Sequence, residues 1–153
     1  MLRSVLGFLL LVAVPQLDTF KKEMAPLQSA VDTVITSTGS QVLQRSRATY
    51  LEGYGIVVSL EIAFETPQNP FSGYKTPTEV RAIVAQHRKD VQEKMTAFVK
   101  QRVATTDSLA PGDSLAIAMH VLNTNPADVP NLPVQILMTA RKQSPDQVSI
   151  RDF

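Results

Sequence analysis

Ile56-Val57-Val58-Ser59-Leu60-Glu61-Ile62-Ala63-Phe64-Glu65 is the stretch that decides the fold. Successive side chains of an extended chain point to opposite faces. Ile56, Val58, Leu60, Ile62 and Phe64 therefore share one face, and Val57, Ser59, Glu61, Ala63 and Glu65 share the other. One face is wholly apolar and the other is mixed. This is a strand with one side against a core, and it requires sheet neighbours and a covering layer.

Working outward, Arg45 to Leu51 reads as a short strand joined to it by the turn Glu52-Gly53-Tyr54-Gly55, whose glycines permit the backbone angles of a tight hairpin. On the other side, residues 66–75 form a loop carrying Pro67, Asn69, Pro70, Gly73 and the aromatics Phe71 and Tyr74. Thr76-Pro77-Thr78-Glu79 then opens a helix: an N-cap threonine, proline at the first helical position and glutamate at the third make a capping box. Val80, Ile83, Val84, His87, Val91, Met95, Phe98 and Val99 follow on one face, and the helix is expected to run to about Val103, roughly 40 Å.

Beyond the turn Ala110-Pro111-Gly112-Asp113, residues 114–123 alternate again, with Leu115, Ile117, Met119 and Val121 against Ala116, Ala118, His120 and Leu122. A second proline-bearing loop covers 123–133, and 134–142 is read as the last strand. Near the amino terminus, Phe20, Met24, Leu27, Val31, Val34 and Ile35 predict a helix over 19–40 that either starts at Pro26 or kinks there, with Gly39 as its stop. The polar tail 144–153 is expected to be frayed.

The order is α-β-β-α-β-β, an α+β two-layer domain over 19–143: a four-stranded mixed sheet with the long helix packed on one face. If the second and third strands are sheet neighbours, the long helix is their crossover and they run parallel. Loops 66–76 and 123–133 then share one end of the sheet with the link near residue 42. The Gly53–Gly55 hairpin and loop 104–113 share the other.

Residues 1–14 carry an address. Arg3 is followed by Val5-Leu-Gly-Phe-Leu-Leu-Leu-Val-Ala-Val14, ten residues without a polar side chain. A basic start and a short apolar run read as a secretory signal peptide, taken as residues 1–18, and the run is too short to span a bilayer. No clean small-x-small cleavage site follows, so the segment contacts membrane only if it is left uncleaved. The alternative is a first core element of a cytoplasmic domain. The expected location is exported, periplasmic or extracellular.

Composition narrows the functional classes. Net charge is +1 with no long run of either sign, which leaves no nucleic-acid footprint. The chain has no cysteine, excluding disulfides, thiol catalysis and Cys-ligated metal.

Two segments resemble a known group. Tyr50-Leu51-Glu52-Gly53-Tyr54-Gly55 running into Ile56, and Leu132-Pro133-Val134-Gln135-Ile136-Leu137-Met138-Thr139-Ala140, are similar to the Y-x-x-G-Y-G hairpin and the L-P-x-Q-I-L-M-x-A strand of a group of small exported bacterial proteins with no established function. The resemblance covers residues 47–142. It implies export and an α+β fold, and it implies no activity.

Candidate chemistry is sparse. His87 lies on the apolar face of the long helix and reads as a core-edge histidine. His120 falls on the mixed face of its strand, where Glu61, Glu65 and Arg141 are expected on the same side; a carboxylate beside an imidazole can orient a general base. No metal-ligand spacing, nucleophile elbow or phosphate loop occurs, so no cofactor and no metal are expected. The mixed face, with Val57, Ala63, Ala116, Ala118, Leu122 and Leu137, is too apolar for a fully solvated surface and calls for a cover: the first helix, a second copy in a homodimer, or a protein partner. Tyr54, Phe71 and Tyr74 are the expected ligand- or partner-contact residues, the loop aromatics having core capping as their alternative. The favoured reading is a non-catalytic binding or assembly domain of the cell envelope. The alternative is a small envelope hydrolase using Glu61 and His120 as an acid/base pair.

Overall fold

The computed structural model describes residues 17–65, 71 and 73–153. The expected leader lies outside the described residues except for Leu17 and Asp18, which are the first residues of a helix. Among the described residues, no helix is long and apolar enough to cross a membrane.

The elements are α1 (Leu17–Thr36), β1 (Gln41–Leu51), β2 (Gly55–Ala63), α2 (Pro77–Thr105), β3 (Ser114–Val121), β4 (Gln135–Arg141) and β5 (Ser144–Asp152). They form an α+β domain with one mixed five-stranded sheet in the order β1-β2-β3-β4-β5. β2 and β3 run parallel with α2 between them, and the other neighbours are antiparallel. The loop ends fall as expected: Gly55 is opposite Ser114 at one end of the sheet, while Gln41 meets Ala63 at the other.

The fifth strand corrects the expectation of four strands and a frayed tail over 144–153. Asp152, Arg151, Ile150 and Ser149 pair with Ile136, Leu137, Met138 and Thr139. β5 is an edge strand, so its polar residues are accommodated on its solvated side and Pro145 sits at its start, where a missing N–H costs no ladder bond. An ion pair between Asp152 and Arg88 of α2 ties its far end to the helix layer.

Pro26 neither starts α1 nor ends it. Phe20 and Met24 before it and Leu27, Val31 and Ile35 after it all reach the core, and Phe20 meets the Tyr50 ring edge-on at 5.8 Å. Burial on both sides outweighs the roughly 3 kcal/mol that a mid-helix proline costs. The second helix begins as its sequence requires: Glu79 N–H donates to Thr76 Oγ1 at 3.3 Å and Thr76 N–H donates to Glu79 Oε2 at 2.7 Å. Its 29 residues make a rod of about 43 Å.

Both helices lie on one side. Met24, Leu27, Val31 and Ile35 of α1 and Val80, Val91, Met95 and Val99 of α2 share a single core with Ile56, Val58, Leu60 and Ile62 of β2 and Leu115, Ile117 and Met119 of β3. α1 also guards the sheet edge, since Ser46 N–H donates to Asp32 Oδ1 at 3.0 Å and Ala48 N–H to Gln28 Oε1 at 3.2 Å. Edge N–H groups that would otherwise recruit another strand are thereby occupied. The opposite face of the sheet has no layer over it among the described residues.

Candidate functional site

The uncovered face is where the mixed-face residues converge, and register defines its rows. Thr49, Val57, Ala116, Thr139 and Ser149 make one row across the five strands. Arg47, Ser59, Ala118, Leu137 and Arg151 make the next. Gln44, Glu61, His120 and Gln135 make a polar third. Alanine in the middle of a row lets larger neighbours overhang it, so Ala116 is 2% and Ala118 7% exposed although no element covers them. The centre of the face is low and apolar, and its margins carry Arg47, Arg141 and Arg151.

Glu61 and His120 are brought together as register partners on adjacent parallel strands. Among the described residues neither side chain has a hydrogen-bond or ion-pair partner, and no group of metal-ligating side chains forms. Neither residue lines the groove beside β4 and β5 or the one between α1 and β1. Register places the carboxylate and the imidazole side by side, and among the described residues no hydrogen bond orients the ring.

Glu65 departs from its expected place on the open face. β2 has ended at Ala63, and the carboxylate turns inward, 3% exposed, to accept from Lys75 Nζ at 2.8 Å and Asn125 Nδ2 at 2.9 Å. It clamps the two loops at that end of the sheet. His87 is a structural histidine: its Nδ1 donates to the Phe64 carbonyl at 2.5 Å.

The three expected contact aromatics are split between the two ends of the sheet. Phe71 and Tyr74, 95% and 84% exposed, lie beyond the end of β2 and do not fold back as a cap on the core. Tyr54 sits at the hairpin end, where its carbonyl accepts from Ser114 N–H at 2.7 Å. There it borders a groove of about 630 Å³ together with Ser114, Thr139, Arg141, Ser149 and Arg151.

The groove arises from an irregularity in β5. Thr139 pairs with Ser149 and Arg141 with Ser144, so residues 145–148 all stand opposite the single Ala140. The surplus residues bow away from β4 and leave a recess beside it. Nothing in the tail's composition marks this bulge except Pro145, which is why reading the sequence misses both the strand and the recess. No family model, curated protein or solved structure matches this chain.

Proposed function

We propose that the chain is a non-catalytic binding or assembly domain of the cell envelope, working through the uncovered face of its sheet. The observation that carries this reading is the apolar centre of that face: Ala116 and Ala118 are nearly inaccessible, Val57 and Leu137 stand half-buried beside them, and both helices lie on the opposite side. Export rests on the Arg3-led apolar start and on the resemblance to small exported bacterial proteins. A second copy meeting the same patch about a two-fold axis would bury about 800 Å² on each partner in a standard interface.

The hydrolase reading has in its favour the register pairing of Glu61 with His120. Against it, among the described residues no hydrogen bond links the two side chains, and the pair stands outside the groove beside β4 and β5.

The test is a long side chain at the centre of the patch. Ala118→Lys leaves the circular dichroism spectrum unchanged and abolishes the concentration-dependent association of the wild type in sedimentation. If the wild type is monomeric, it captures a partner from envelope extracts that Ala118→Lys does not capture. A wild type and a variant alike in both assays overturn the reading.

A further inference from the structure

We infer that the groove between β4 and β5 binds an acidic oligosaccharide; this rests on the proposed binding role of the open face. Charge is the first argument. Arg141 and Arg151 border the groove, no carboxylate does, and among the described residues neither guanidinium has an acidic partner. The nearest acid in sequence to Ser114 is Asp113, and it is buried and occupied, accepting from Tyr50 Oη at 3.3 Å and from Ala110 N–H at 3.0 Å. Lys142 is also committed, donating to the Ala104 and Thr106 carbonyls at 2.9 and 2.8 Å. Among the described residues, Arg141 and Arg151 are therefore the cations lining this groove that are left for a ligand, and guanidinium pairs with carboxylate in bidentate geometry.

Spacing is the second. Arg151 stands opposite Leu137, four residues along β4 from Arg141. At 3.3 Å per residue their backbones are about 13 Å apart along the strand, which suits anionic groups repeated along a chain better than one small ion.

What lies between them is the third. Thr139 and Ser149 form the row separating the arginines, Ser114 and Tyr54 add hydroxyls at one end, and Leu137 offers apolar surface at the other. Hydroxyls with an aromatic ring and an aliphatic patch match the hydroxyls and C–H faces of sugar rings. A polyphosphate chain offers neither. The volume of about 630 Å³ lies within the range of small-ligand sites.

The test is titration of the full chain with hexagalacturonate, followed by calorimetry and by amide chemical shifts, with maltohexaose and polyphosphate as comparison probes. Hexagalacturonate should bind saturably and shift the amides of Thr139, Arg141, Ser149 and Arg151, while maltohexaose should not saturate. Arg141→Gln and Arg151→Gln should each weaken binding about tenfold, the worth of one charge-assisted contact. Arg47→Gln, on the same face at the far edge, should change it less than twofold. Absence of saturation, an equal loss with Arg47→Gln, or polyphosphate binding as tightly at the same amides overturns the inference. The amide map of the wild type stands even if a variant misfolds. A failed titration alongside an intact effect of Ala118→Lys would sink the ligand and leave the proposed function standing.

Discussion

Gly53 and Gly55 occupy the same hairpin and differ in what surrounds them. Both have positive φ, +75° and +119°, where a β-carbon is strained. A Cβ on Gly53 would meet nothing within 4 Å, whereas one on Gly55 would lie 2.2 Å from the Ser114 carbonyl oxygen. Gly53→Ala should therefore cost about 1 kcal/mol of backbone strain. Gly55→Ala should cost several times that, because β2 and β3 must separate where their parallel pairing begins. Equal losses for the two in urea unfolding would show that close approach is not what holds Gly55. The need for glycine in this turn was legible from its spacing. Which glycine faces backbone was not, because the neighbour lies 59 residues further along the chain. Glu65 shows the same limit: alternation assigned it to the open face, and only the end of β2 at Ala63 turned it inward towards Lys75 and Asn125.

Elements were legible where one periodic signal dominated. The β2 alternation and the Thr76–Glu79 box each identified their element to within a residue or two. α1 was blurred by Pro26, and β5 by a polar composition that an edge strand tolerates. How α1 is fastened was invisible in the sequence, because it depends on residues more than 80 positions away. Glu23 accepts from Asp107 N–H at 2.8 Å and Ser108 N–H at 2.9 Å, and also from the Ser108 hydroxyl. Burial alone would raise its pKa, but these bonds and the nearby Lys142 cation outweigh burial and hold the carboxyl below its ordinary range. A lowered folded-state pKa gives stability that is complete above the unfolded value, about 4.3, and is lost as pH falls through the folded one. Glu23→Gln should cost about 1 kcal/mol at pH 7. The gap from wild type should close as the pH drops below about 4. Thermal unfolding across pH 2.5–7 reads this directly, and a gap that widens on acidification would contradict it.

At the scale of the whole molecule, strand order follows chain order, and among the described residues the one crossover is the long helix between β2 and β3. That much could be reasoned from element order and loop lengths. The sheet's far boundary could not, and it determines how the domain closes. α2 packs beneath β4 and β5, Val148 adds to the core, and Asp152 pairs with Arg88. Without β5, β4 would become the edge, with Ile136, Leu137 and Met138 in a row and the outward N–H and C=O groups of Leu137 and Thr139 unpaired. An apolar edge of this kind is a template for pairing with other chains, and unlike β1 it would have no helix side chains to occupy it. Removing residues 144–153 should therefore lower the unfolding midpoint by several degrees and produce aggregates that bind thioflavin T, whereas a frayed tail could be removed without effect. Arg88→Ala separates the two contributions. It cuts the ion pair and keeps the strand, so it should shift stability by about 1 kcal/mol or less, as a part-exposed pair does, with no aggregation. If truncation and Arg88→Ala behave alike, pairing with β4 is not what completes the sheet.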